Sequence, residues 1–189
     1  MRKPDFYRSF LGFRPNFDLC RRLASLGAQA GQRVWPELLH LTLCVIGEES
    51  ERHPFLLPRV RSALAGNSLN SFPVHLGKIS GGPKGAMLQA LGCQHDIQDF
   101  YRVLISLLAR NGIAPLYRKS GLRAHITLGH DPCRFESFKA PMEWFPAELL
   151  LIESEVGLSR HNVIGRWPLL PPRQRSLPFD AIFAGRAAA

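Results

Sequence analysis

Apolar and polar positions along the chain fall into short runs of two periods. Residues 7–14 read as a first strand, which Pro15-Asn16 closes. Asn16 suits an N-cap for a helix over 17–28, with Leu19, Leu23 and Leu26 on one face. A loop through Trp35-Pro36-Glu37 leads to a strand over 38–46, which Gly47-Glu48 should stop. Residues 49–68 predict a helix, 72–79 a strand, 80–85 a Gly-rich turn and 86–92 another strand. The strongest helical spacing lies over 94–109, through Ile97, Phe100, Tyr101, Leu104, Leu107 and Leu108. A strand over 122–128 follows, and 149–156 with 163–168 predict a late antiparallel pair. No element is assigned to 129–148.

The order strand, helix, loop, strand occurs twice, and each copy ends on the same tetrapeptide. His40-Leu41-Thr42-Leu43 and His125-Ile126-Thr127-Leu128 hold the chain's two threonines, each two places after a histidine. This reads as a diverged internal duplication. Side chains alternate between the faces of a strand. His40 and Thr42 therefore share one face, as do His125 and Thr127. The leucines and Ile126 take the opposite face and pack under helices. Two related lobes would bring the polar faces together as a pair of imidazoles flanked by a pair of hydroxyls.

Such a set suits phosphoryl transfer without a metal. One neutral imidazole takes a proton from the attacking oxygen and one imidazolium gives a proton to the leaving oxygen. Threonine hydroxyls donate hydrogen bonds to the non-bridging phosphate oxygens. No carboxylate cluster adjoins either motif to hold Mg²⁺, so neither a metal nor another cofactor is expected.

Charge narrows the partner. A net +9, carried mostly by arginine, favours an anion, with nucleic acid ahead of a membrane surface. No apolar run reaches the length of a membrane span, and Met1 to Phe6 contains no signal-like apolar segment. The four cysteines are widely spaced, which predicts reduced thiols and a cytoplasmic protein. Residues 1–170 are read as one domain of two interleaved lobes, and 171–189 as a tail. A monomer is expected.

On these residues the chain resembles the 2H phosphoesterase superfamily, in the branch of 2′-5′ RNA ligases and RNA 2′,3′-cyclic phosphodiesterases. Trp35-Pro36-Glu37 before the first motif, Ile46-Gly47-Glu48 after it, and Leu151-Ile152-Glu153-Ser154 near the end add to the likeness. The resemblance implies an α+β, bilobal, pseudo-two-fold fold, with an antiparallel sheet in each lobe, helices outside and a central cleft. It implies opening of a terminal 2′,3′-cyclic phosphate on RNA to a 2′-phosphomonoester, with RNA 2′-5′ ligation as a further activity. It gives His40 as proton donor and His125 as proton acceptor, although by pattern the two half-sites are equivalent. Thr42, Thr127 and His130 would bind phosphate, His130 standing where such proteins often carry Arg. Cys44 and Ala124 are further departures from that pattern. Arg118, Lys119 and Arg123 are candidates to contact RNA or to lie solvated in a loop. Trp35 and Tyr117 either stack on a base or pack at the rim. Arg160-His161 either reaches RNA or forms a surface turn. Two alternatives stand beside this reading: a phosphodiesterase for a small cyclic nucleotide or 2′-5′ oligonucleotide, and a protein that binds RNA ends without catalysis.

Overall fold

One antiparallel sheet organises the protein. The computed structural model describes residues 3–92, 94–117 and 122–172. Its strands are β1 (Phe6–Phe13), β2 (Leu41–Glu49), β3 (Val74–Gly82), β4 (Gly85–Ala90), β5 (His125–Gly129), β6 (Phe138–Trp144), β7 (Glu148–Val156) and β8 (Arg160–Pro168). They are hydrogen-bonded in the order β6-β3-β4-β5-β2-β1-β7-β8. The helices are α1 (Phe17–Gln29), α2 (Leu56–Leu64) and α3 (His95–Arg110), and a 3-10 turn spans Pro36–Leu38. The fold is thus α+β. Where the sequence suggests a separate sheet in each lobe, the eight strands join into one. The join is thin: β2 and β5 meet through the single pair Leu41↔Ile126.

The strand–helix–strand order recurs as β1-α1-β2 and β4-α3-β5, each closing on an antiparallel neighbour. Asn16 caps α1 as expected, its Oδ1 accepting from Leu19 N at 2.9 Å. Leu23 of α1, Val60 of α2 and Leu104 of α3 are fully buried in one core with Leu41, Leu43, Ile126 and Leu128. The apolar half of both tetrapeptides therefore anchors under the helices. A second, smaller cluster consists of Phe10, Leu150 and Ile152, with Val45 and Val163 against it. Cross-strand pairing makes Val45, Phe10, Ile152 and Val163 a continuous row over β2, β1, β7 and β8.

The structure departs from the sequence reading at four places. Gly47-Glu48 do not end β2, because they pair with Ser9 and Arg8 of β1 and Arg8 Nε meets Glu48 Oε1 at 2.6 Å. The helix expected over 49–68 is confined to Leu56–Leu64: strand pairing claims its beginning, and Gly66, at φ +70°, ends it. β6 is absent from the sequence reading because Pro141 interrupts it. It lies at the sheet edge, where a missing N–H is tolerated. Ala140, Met142 and Trp144 alternate inward along it. Leu38, read as a strand residue, closes the 3-10 turn instead. Of the tail, only residues 171 and 172 are among those described. No helix of the described residues is long and apolar enough to cross a membrane.

Two glycines let neighbouring strands close on the motif strands. Gly12 faces Thr42, and a Cβ there would run into the Leu41 carbonyl. Gly85 sits at φ +101°, where a Cβ would strike the Gly129 carbonyl at the end of β5. Gly12→Ala should therefore cost about 1–3 kcal/mol of stability, by overpacking against backbone that has little room to move. Urea unfolding of the two chains side by side measures it.

Candidate active site

The polar half of each tetrapeptide opens into one cleft of about 680 Å³. His40, Thr42, His125, Thr127 and His130 all line it. The seam between β2 and β5 accounts for this convergence. Carrying the Leu41↔Ile126 register one residue each way sets His40 against Thr127 and Thr42 against His125. Each histidine thus lies beside the threonine of the other motif.

The two imidazoles are held alike. His40 Nδ1 lies 2.6 Å from the Leu38 carbonyl and His125 Nδ1 2.7 Å from the Arg123 carbonyl, in each case two residues upstream. A carbonyl only accepts, so Nδ1 is the donor in both rings. The neutral tautomer then leaves Nε2 with a free lone pair. Both rings are oriented by backbone, with no carboxylate partner among the described residues.

Their surroundings differ. His40 is largely buried, and its pKa is pushed down to about 4. Desolvation is the main cause, partly opposed by the Leu38 carbonyl, and the positive charges of Arg14, His125 and His130 add to the lowering. The Phe10 ring lies against His40 with centroids 4.7 Å apart. Arg14, just beyond β1, is itself lowered by burial and by Arg166. Its Nε and Nη2 are buried with no hydrogen-bond partner among the described residues. His40 is therefore neutral in the free protein at neutral pH.

A further histidine of the cleft belongs to neither motif. His161 of β8 packs edge-on to His40, with centroids 4.8 Å apart and planes at 75°. It is no part of a surface turn: β8 begins at Arg160, and His161 pairs with Ser154 of β7. The period of two along β8 gives the face of the strand it lies on, but not its approach to His40 across β7 and β1. Its pKa is also lowered to about 4, by desolvation first and then by His40, Arg14 and His130.

The other candidates scatter. Arg118 and Lys119 lie outside the described residues. Arg123 is exposed and is not a wall of the cleft; its carbonyl, not its guanidinium, serves the site. Trp35 lines the cleft, with the Arg33 guanidinium 4.2 Å from its ring centroid. Tyr117 donates to Glu48 Oε2 at 2.7 Å, away from the cleft walls. Pro83 and Lys84 form the tight turn of the β3–β4 hairpin, with Gly82 paired to Gly85. Arg160 turns to Glu155, at 3.2 Å. Among the described residues, no three His, Cys, Asp or Glu side chains converge to hold a metal ion.

No protein-family model matches the chain, and no curated protein does either. Solved structures match it over nearly their whole length. TT0787 of Thermus thermophilus superposes with a TM-score of 0.67 at 19% identity, over 86% of this chain and 97% of its own. E. coli LigT complexed with 3′-AMP gives 0.69 at 19%, over 87% and 99%. LigT complexed with ATP gives 0.64 at 18%, over 88% and 99%. The chain therefore has the fold of these proteins.

The buried neutral His40 ties stability to pH. Its folded pKa, about 4, lies below the unfolded value of 6.5, so the unfolded chain binds the extra proton between them. Stability should fall as pH drops from about 6.5 toward 4, by on the order of 3 kcal/mol from this residue, and then level. His40→Gln should remove its share of that slope and leave the share of His161, whose pKa is lowered in the same range, which urea titrations across this range measure.

Proposed function

We propose that the chain is a 2H phosphoesterase whose cleft opens RNA 2′,3′-cyclic phosphates to 2′-phosphomonoesters. The observation that carries this is the matched pair of imidazoles: each Nδ1 is tied to a carbonyl two residues upstream, and both rings line one cleft together with Thr42 and Thr127. The interleaved duplication behind the pair is part of the proposal, with β2 and β5 as equivalent strands on either side of a pseudo-two-fold axis. LigT, of the same fold, has been seen with phosphate and with 3′-AMP, which supports a phosphoryl occupant for this cleft.

The reaction follows from the groups available. A water oxygen attacks phosphorus in line with the 3′-oxygen and passes its proton to the Nε2 of one histidine. The bond from phosphorus to the 3′-oxygen breaks, and the second histidine returns a proton to that oxygen. Thr42 and Thr127 hold the non-bridging oxygens as their charge grows. A 5′-hydroxyl in place of water would give the 2′-5′ linkage by the same proton path. His130 supplies charge to phosphate when protonated, and the net +9 favours RNA over a free nucleotide.

The resemblance gives His40 as donor and His125 as acceptor. For that, the phosphate anion must restore a proton to His40 on entering. The neutral state of His40 in the free protein favours a second reading, with the two roles exchanged.

His40→Ala and His125→Ala should each lower turnover of a nucleoside 2′,3′-cyclic phosphate by about 10²–10⁴-fold with the fold intact. Circular dichroism checks the fold, and activity at the wild-type level in either variant overturns the proposal. EDTA should leave the wild-type rate unchanged.

The pH profile of kcat/KM reports the acid and the base of the free enzyme together and has the same shape for either assignment, with its acidic limb at about 4, where His40 exchanges its proton. A substrate whose leaving oxygen needs no proton, such as an aryl phosphodiester, separates the roles: it should restore turnover to the variant that lacks the donor and not to the variant that lacks the acceptor.

A further inference from the structure

His161 reaches the site from the far end of its half of the sheet. β1 and β7 separate β8 from β2, a span of about 14 Å in a flat sheet at the usual strand spacing. Yet the His161 and His40 centroids are 4.8 Å apart. The sheet curls over the apolar row of Val45, Phe10, Ile152 and Val163, and the curl brings the outermost strand to the motif histidine. Phe10 touches both rings, at 4.7 Å from His40 and 5.8 Å from His161.

The ring nitrogens of His161 are unequal. Nδ1 is sealed from solvent and has no hydrogen-bond partner among the described residues. Nε2 is not among the sealed atoms, and the residue lines the cleft. A neutral imidazole carries one N–H. Placed on Nδ1, that hydrogen would be a stranded donor; placed on Nε2, it faces the open cleft. His161 therefore takes the Nε2–H tautomer, the reverse of His40. One ring presents a lone pair to the cleft and its neighbour presents a donor.

We infer that His161 is a third phosphoryl-contacting residue of this site, giving its Nε2–H as a neutral donor to a non-bridging oxygen. The inference rests on the phosphoesterase reading for its ligand. Neutrality is the useful property here. The charged and titratable groups that act on His161 are His40, Arg14 and His130. All are cationic when protonated, so a second proton beside them is disfavoured, and desolvation acts in the same direction. A permanent cation at this position, 4.8 Å from His40, would push protons off His40. A neutral N–H binds the phosphoryl oxygen and leaves His40 free to gain and lose a proton through the reaction.

The experiment titrates inorganic phosphate into the full chain at neutral pH, with His161→Phe and His161→Gln beside the wild type, and records ring ¹⁵N spectra. His161→Phe keeps an aromatic ring against Phe10 and His40 but removes the donor; it should bind phosphate about five- to tenfold more weakly. His161→Gln keeps a neutral N–H and should recover most of that loss. The wild-type spectra should show His161 neutral and protonated at Nε2, before and after phosphate is added. His161→Arg should bind phosphate more tightly and yet turn over cyclic phosphate more slowly at saturation. Unchanged affinity in His161→Phe, or a charged or Nδ1-protonated ring, overturns the inference. Should no chain hydrolyse cyclic phosphate while His161→Phe alone loses phosphate affinity, the proposed reaction falls and the anion contact stands. Normal turnover with unchanged affinity in His161→Phe removes the anion contact and leaves the proposed reaction standing.

Discussion

The pairing of Leu41 with Ile126 is the contact on which the rest of the structure turns. It is the single register pair between β2 and β5. It joins four strands on one side to four on the other, and it lies at the centre of both tetrapeptides. Antiparallel pairing at that point forces the crossed arrangement of each histidine beside the other motif's threonine. A slip of one residue would turn the histidines into the core and the leucines into the cleft. The register is guarded by burial: Leu41 and Ile126 are fully enclosed, and Leu43 and Leu128 nearly so. The apolar half of each motif thus stabilises the fold, while the polar half is fixed in space as a consequence. A long ladder between the central strands would be stiffer but flatter. One pair permits the fold between halves that makes room for a cleft.

Around that seam, backbone rather than side chains sets the chemistry of the imidazoles. The Leu38 and Arg123 carbonyls fix ring orientation and tautomer at once. Such anchors do not titrate, so the rings keep one geometry across the pH range in which they exchange protons. Leu38 ends the 3-10 turn that Pro36 begins, and this accounts for the Trp-Pro-Glu sequence ahead of the first motif as a device for aiming a carbonyl. In the second motif the Arg123 carbonyl holds the His125 ring in the same way, from two residues ahead of β5.

Much of this was legible in the sequence, because it is local or periodic. The alternation in His40-Leu41-Thr42-Leu43 gives the facing of the side chains, Asn16 gives the start of α1, and the spacing of Ile97, Phe100, Leu104 and Leu108 gives α3. What escaped the reading depends on pairing between distant segments. Glu48 belongs to β2 only because Arg8 and the rest of β1 lie beside it, and Pro141 is harmless only because β6 is an edge. His161 joins the site because a sheet of eight strands curls, and no window of sequence around residue 161 contains that fact. The resemblance directed attention to position 130 for the charge that would meet phosphate. The structure adds two groups from elsewhere: Arg14 after β1, and His161 at the sheet's far end.

Those two groups bear on how a cleft can attract an anion without disabling its own acid and base. A guanidinium in contact with the phosphoryl oxygens would bind strongly, but it would also suppress protonation of any imidazole nearby. Arg8 and Arg33 line the cleft, whereas Arg14 is not one of its walls, yet the field of Arg14 reaches both His40 and His161. The walls of the cleft combine guanidinium, carboxylate, hydroxyl and imidazole groups, and of the imidazoles His40 and His161 are neutral in the free protein. Attraction at long range comes from the arginine-rich body of the protein, while the ring packed on His40, that of His161, offers a donor without adding charge. An incoming phosphate reverses the balance at His40, because its negative charge opposes the desolvation that holds the ring neutral. On the proposed function, the proton on that imidazole would be governed by occupancy as well as by pH, and the site would become competent as its substrate enters.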